Sequence, residues 1–211
     1  MKKEVKWSDA YNMRGLIWAL FGELFVLVDF KVISGNYIFD IVPDFVGYIL
    51  IAIGISELMK YDKKYKWAVV CSGFLFTFTI LETLMTLTTD IYVKYYTAYH
   101  VICLVDMLIE LLMIYFIISA SAVIAKKCDE KKFAKFLNAG MIYILAVRIA
   151  IYLIEYVARK YDILILTAVI TVMQFAFTIC IVILFSRIYM DLDGVPAKLP
   201  EETNRYNDGG R

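Results

Sequence analysis

The sequence predicts an all-α fold, a polytopic transmembrane bundle of six spans with both termini in the cytoplasm. Three observations lead to this class: an apolar composition, six long apolar stretches and an alternating distribution of basic residues. The chain has 211 residues, of which 62% are hydrophobic and 20% charged, and its mean hydropathy is +0.70. A soluble globule of this size cannot bury that much apolar surface. The composition therefore excludes a soluble enzyme, a nucleic-acid-binding domain and a disordered chain.

The spans follow from length, because a helix needs about 20 mostly apolar residues to cross the hydrocarbon core. The first apolar stretch follows a basic N-terminus but contains Glu23 and Asp29 and lacks a small-residue cleavage site. It therefore predicts a retained helix rather than a signal peptide. The second stretch is the weakest and the sixth the cleanest. The predicted spans are residues 14–33, 42–59, 67–88, 99–125, 137–158 and 163–186.

The orientation follows from lysine and arginine, which are enriched in cytoplasmic segments. Of the 22 such residues, 17 lie in the N-terminus, the loops 60–66 and 126–135, and the region from Arg187 onward. The alternate loops hold four. This distribution predicts a six-helix domain over residues 1–190 in the cell (cytoplasmic) membrane. Residues 191–211 are expected to form a flexible cytoplasmic tail, because they are polar and contain two prolines and three glycines.

Ionisable groups inside the spans are the candidates for ligand or ion binding, because burying one costs about 2.5–3.5 kcal/mol. Asp106 and Glu110 are four residues apart and share one helix face, while Arg148, Tyr152 and Glu155 form one line on the next helix. Arg148 and Glu110 lie at matching depth near the midplane, and we expect them to pair. The candidates are Glu23, Asp29, Glu82, Asp106, Glu110, Arg148 and Glu155.

These candidates comprise six acids and one arginine, so they cannot all be ionised in a dry interior without a further cation. Some of the acids carry protons, or they line a water-filled cavity that attracts cations. A third interpretation is that several lie nearer the interface, hydrogen-bonded to Tyr, Thr or Ser. That interpretation is strongest for Asp29 and Glu155.

The entry to the second span is a further candidate. After a turn at Ser34-Gly35-Asn36 the chain continues as a short apolar piece, meets Pro43 and restarts as a helix. The carboxylate of Asp44 could simply cap that helix. Interrupted apolar segments also mark binding sites in transport proteins, because unwound backbone exposes polar groups. Asp44 therefore joins the candidate ligand-binding residues.

Other chemistry finds little support in the sequence. The four cysteines are dispersed, and the single histidine, His100, excludes a bis-histidine haem site within one chain. No phosphate-binding GxxxxGK[ST] loop and no HExxH motif occurs. His100 with Asp106 is the nearest approach to a catalytic pair. We therefore expect no catalytic residues, no metal site, no cofactor and no enzymatic activity.

A short segment carries a resemblance. The stretch 40–58, DIVPDFVGYILIAIGISEL, resembles the second-helix entry of small six-span membrane proteins common in Firmicutes, through Pro43, Asp44 and Gly47. It is distantly similar to the rod-shape family MreD and to the S components of energy-coupling-factor transporters. The spans here are richer in Tyr, Phe and acids than those of S components. The resemblance implies a bacterial solute-binding or scaffold subunit without its own ATPase.

Two functions fit these observations. The first is a transport-type protein that binds or moves a cation, a proton or a small cationic solute through an acid-lined intramembrane pocket. The second is a non-catalytic assembly or scaffold subunit, in which the buried charges meet another membrane chain. The expected partners are the lipid bilayer and either a membrane protein or a second copy of the chain, with no nucleic acid.

Overall fold

The fold is known from a computed structural model, which describes residues 10–27, 31–34, 37–40, 44–86, 96–161 and 164–196. Within these ranges helices dominate, as predicted, and one short antiparallel sheet joins the first two. In chain order the elements are α1 (Gly15–Leu27), β1 (Lys31–Ser34), β2 (Tyr37–Asp40), α2 (Asp44–Leu58), α3 (Lys63–Thr86), α4 (Tyr96–Lys127), α5 (Lys131–Lys160) and α6 (Leu164–Leu192).

Among the described residues, four helices are long and apolar enough to cross a membrane: Lys63–Leu84, His100–Lys127, Lys131–Ala158 and Ala168–Leu192. They correspond to the third to sixth predicted spans. The first two helices are shorter than predicted, with 13 and 15 residues. At 1.5 Å per residue they extend about 20 and 22 Å. The membrane-protein class is therefore supported by the four helices of full spanning length.

The first predicted span was too long, because its last residues form a strand instead of a helix. β1 pairs with β2 in antiparallel register, with Lys31 opposite Asp40 and Ser34 opposite Tyr37. β-Branched and aromatic residues dominate both strands, and such residues favour extended structure. The Gly-Asn pair between the strands is a composition typical of two-residue hairpin turns. This signal was present in the sequence, although apolarity outweighed it in the span prediction.

The helices pack in sequence order, each against the next, and α6 returns to pack against α1. This arrangement closes a ring of six helices. α4 is the most buried of the four long helices, and α5 is the least buried. Side chains of α4 such as Met113, Ile114 and Ile117 are fully buried. The apolar core therefore lies around α4.

α1 and α2 approach each other closely through two pairs of glycines. Gly22 lies against Gly47, and Gly15 lies against Gly54. The two glycines of α1 are seven residues apart, and so are the two glycines of α2. The helices are therefore antiparallel and touch along one line. A Cβ atom on Gly22 would stand 2.5 Å from the carbonyl oxygen of Gly47. Because small residues allow helix backbones to meet, this contact sets the distance between α1 and α2.

One end of the bundle, here called the basic end, joins both ends of the described chain. The backbone N–H of Tyr11 donates to the carbonyl of Val195 (3.0 Å), and Gly194 donates back to Tyr11 (2.8 Å). Gly194 has a φ of +73°, which favours glycine. The carboxylate of Asp193 accepts from the N–H of Met13 at the start of α1 (2.8 Å). These bonds hold residues 193–196, predicted as part of the tail, against the N-terminal segment.

The loops between α2 and α3 and between α4 and α5 lie at the same end. The Tyr61 hydroxyl accepts from the backbone of Asn12 (2.8 Å), and its ring packs edge-on against Tyr11 with centroids 5.1 Å apart. Burial raises the pKa of the Tyr11 hydroxyl, and Cys128 of the α4–α5 loop lies within its electrostatic range. The basic segments at 60–66 and 126–135 are thus neighbours of the chain's two described ends. The opposite end, which carries β1 and β2, is called the hairpin end.

The glycine contact generates a stability prediction. Gly22→Leu should destabilise the protein by about 1–3 kcal/mol or more, because its side chain would overlap the backbone of α2. Thermal unfolding in detergent would measure the effect. Gly73→Leu on α3 is the matched control, since a Cβ there meets no atom within 4 Å. Equal melting temperatures for the two variants would contradict the close contact.

Candidate functional site

Ionisable side chains from five helices face one another inside the bundle. They are linked by one direct ion pair and by electrostatic interactions among the other members. This group is here called the carboxylate cluster. Its members are Glu23 on α1, Asp44 on α2, Glu82 on α3, Asp106 and Glu110 on α4, and Arg148 on α5.

The centre of the cluster is the ion pair between α4 and α5. A terminal nitrogen of Arg148 donates to Oε2 of Glu110 over 2.6 Å, and the two side chains are 22% and 13% exposed. The residues lie at matched depth, because each is 17 positions from the basic end of its helix. The predicted pair is therefore confirmed. The guanidinium also lies 5.6 Å from the ring centroid of Phe177, which brings α6 to the site.

Glu23 enters the cluster from α1. Its side chain is only 3% exposed, and it interacts electrostatically with both Glu110 and Arg148. Its Oε1 atom is buried and has no hydrogen-bond partner among the described residues. The adjacent Gly22 lies in the contact with α2, so the close packing of the two short helices brings this carboxylate inside.

Asp106 lies one helical turn from Glu110 toward the hairpin end. It interacts with Glu110, Glu82 and Asp44, all acidic, and with Arg148. Its buried Oδ1 has no hydrogen-bond partner within the part of the chain that the structure describes. The i, i+4 spacing predicted the shared face of Asp106 and Glu110, and the structure confirms it. Among the described residues, Asp106 therefore has three acidic neighbours and one basic neighbour, which it shares with Glu110.

The remaining predicted residues surround this centre. α2 begins at Asp44. Glu82 accepts a long contact from the Cys103 thiol, with 4.0 Å between oxygen and sulfur. Glu155 accepts from Nε2 of Gln174 (2.8 Å), so this carboxylate belongs to the α5–α6 contact. Asp29 and Pro43 lie outside the described residues.

Tyr48 is a member of the site that the sequence analysis missed. It is 5% exposed and lies within electrostatic range of Glu23, Asp44, Asp106 and Glu110. The Ser72 hydroxyl of α3 donates to its backbone carbonyl over 2.6 Å, which fixes the position of α2 at this level. Its spacing of four residues from Asp44 was the available signal. Gln174 and Phe177 were also missed, because neither carries a charge.

The arrangement has an excess of acid. Arg148, the arginine of the cluster, already forms an ion pair with Glu110. Glu23 and Asp106 each present a buried oxygen without a hydrogen-bond partner in the described structure. Negative charge in such surroundings requires compensation by a proton or by a cation. Within the described ranges, no three His, Cys, Asp or Glu side chains converge to form a metal site.

Comparison with models of known protein families, with curated proteins and with solved structures finds no match to this chain.

The ion pair generates a second prediction. Arg148→Ala should destabilise the protein by about 3 kcal/mol or more, because it leaves the Glu110 carboxylate buried without its partner. The double variant Glu110→Gln/Arg148→Met should recover most of that loss, since both charges are then removed. Thermal unfolding in detergent would measure both, with the exposed Arg14→Ala as control. A double variant no more stable than Arg148→Ala would show that Glu110 is not the group left unpaired.

Proposed function

We propose that this chain is a transport-type membrane protein that binds or moves a proton, a cation or a small cationic solute at the carboxylate cluster. A single observation carries the proposal. Glu23, which is buried, and Asp106, which is half-buried, lie near Glu110, whose charge is already matched by Arg148. Each presents a buried oxygen without a hydrogen-bond partner among the described residues, and neither has compensation of its own for its charge there. A bound cation or proton would supply it.

The positions of the acids along the helices support this proposal. Asp44 is the first residue of α2, and Glu82 lies four residues before the end of α3. The acids therefore extend from the hairpin end of the bundle toward the Glu110–Arg148 pair. Carboxylates along such a path raise the local concentration of cations. A cation entering there would meet Asp44, Glu82 and Asp106 before it reached the ion pair.

We further propose that the chain crosses a bacterial cytoplasmic membrane six times, with both termini in the cytoplasm. The basic end supports this topology, because it collects the N-terminal segment, two basic loops and the end of α6. The α1–α2 pair leaves the basic end and returns to it, as two successive crossings would require. The positive-inside rule then favours the cytoplasm for that end.

Cysteine accessibility tests the topology. In a variant whose four native cysteines are replaced, Lys63→Cys should resist a membrane-impermeant maleimide in intact cells and react after permeabilisation. Tyr161→Cys, at the hairpin end and exposed, is the matched control and should react in intact cells. The reverse pattern would overturn the proposed orientation.

A flux measurement tests the function. Purified protein in lipid vesicles should conduct protons, K⁺ or methylammonium faster than protein-free vesicles. Asp106→Asn and Glu23→Gln should each lower that flux by about tenfold or more, because each removes a charge in a low-dielectric site. Glu57→Gln is the matched control, since this acid is exposed near the basic end.

Two results would contradict the proposal. One is a flux equal to that of protein-free vesicles for all three cations. The other is an unchanged flux in both cluster variants. If the wild-type protein then also purified only together with another membrane chain, the cluster would be better explained as part of an assembly subunit.

A further inference from the structure

A groove between α5 and α6 opens on the outer surface of the bundle, away from the carboxylate cluster. Its volume is about 610 Å³, within the range of about 300–1,000 Å³ typical of small-molecule sites. Phe133, Phe136 and Gly140 line it on α5, while Cys180, Ile183 and Arg187 line it on α6. From the level of Phe133 to that of Ile144, it follows α5 for about 16 Å.

The walls of the groove are apolar and accessible. Phe136 is 55% exposed, Tyr143 72% and Ile183 62%. Both helices are among the four of full spanning length. Such a groove on spanning helices faces the acyl chains of the bilayer. Gly140 leaves open space in the groove wall, because a Cβ atom built there meets no atom within 4 Å.

The charge lies at one end of the groove. Arg187 lines it near the basic end, and its Nε donates to Asp191 over 2.8 Å. That bond holds the guanidinium in place, and its other nitrogens have no acceptor among the described residues. Asp191 offsets part of the positive charge. Lys132, exposed and one helical turn before Phe136, adds positive charge beside the groove, as does the exposed Lys135, whereas Lys131 lies 3.7 Å from the Asp129 carboxylate.

We propose that this groove binds an anionic phospholipid. Its phosphate contacts Arg187 and Lys132, and one acyl chain lies along the groove past Gly140 to Cys180. The charge at the basic end complements a phosphate, and basic pockets between spanning helices on the cytoplasmic side bind anionic headgroups. The apolar walls complement an acyl chain. This site is independent of the carboxylate cluster, so its test is unaffected by the outcome of the flux measurement.

Native mass spectrometry of the detergent-solubilised protein tests the proposal, with phosphatidylglycerol and phosphatidylcholine as the two probes. The wild-type protein should retain phosphatidylglycerol in preference to phosphatidylcholine. Arg187→Gln and Lys132→Gln should each lower its affinity by about fivefold, the effect of one basic group near an anionic phosphate. Lys66→Gln, exposed on α3, is the matched control and should bind as the wild type.

The groove itself is tested by filling it. Both glycines have open space at the Cβ position, so the fold should accommodate a leucine at either one. Gly140→Leu would fill the groove and should abolish retention of phosphatidylglycerol, whereas Gly73→Leu, which lies outside the groove, should retain the lipid. Unchanged melting temperatures would show that both variants fold. Retention by Gly140→Leu equal to that of Gly73→Leu, or equal retention of the two lipids by the wild type, would overturn the proposal.

Cys180 supplies a second measurement, because it is exposed in the groove while Cys71 and Cys128 are buried. Phosphatidylglycerol in the detergent should slow alkylation of Cys180 by a maleimide, and phosphatidylcholine should slow it less. Equal rates with both lipids would contradict the proposal. Protection that instead increased with protein concentration, alongside a dimer lost in Gly140→Leu, would assign the groove to a second copy of the chain.

Discussion

The ion pair between Glu110 and Arg148 determines how the charges inside this bundle are arranged. A guanidinium this deep in apolar surroundings requires a carboxylate partner, and Glu110 supplies it at 2.6 Å. The pair joins α4 to α5, and the contact with Phe177 adds α6. Because this arginine is already matched, every further acid near it increases the local negative charge. Asp106 and Glu23 acquire their proposed role from that imbalance.

The position of Glu23 depends in turn on glycine. Gly22 and Gly47 allow α1 and α2 to meet at backbone distance, and this contact holds the short α1 against the bundle. At the basic end, the bond from Met13 to Asp193 ties the start of α1 to the end of α6. Since α6 also contacts Arg148 through Phe177, α1 and α6 position two sides of the same cluster.

The two ends of the molecule carry opposite chemistry. The acids of the carboxylate cluster extend from the hairpin end inward, whereas the two basic loops lie at the basic end, where Arg187 lines the groove between α5 and α6. The same separation that orients a chain in a membrane would also distinguish the two proposed sites. One suits a cation inside the bundle, and the other suits a phosphate at its surface. The proposed orientation and both proposed ligands therefore depend on the same separation of acidic from basic residues along the bundle.

Periodicity and hydropathy determined the helical class, the four long helices to within about six residues at each end, and the shared face of Asp106 and Glu110. Depth along the helices was enough to select Glu110 as the partner of Arg148. Each of these properties depends on the residue pattern within a single helix or on the depth of its residues in the bilayer. Only the tertiary structure brought Tyr48, Gln174 and Phe177 to the charges, paired the glycines of α1 and α2, and joined Tyr11 to Val195. Those contacts depend on how each helix is rotated about its axis and which helices lie beside it, and a linear pattern of residues does not specify either.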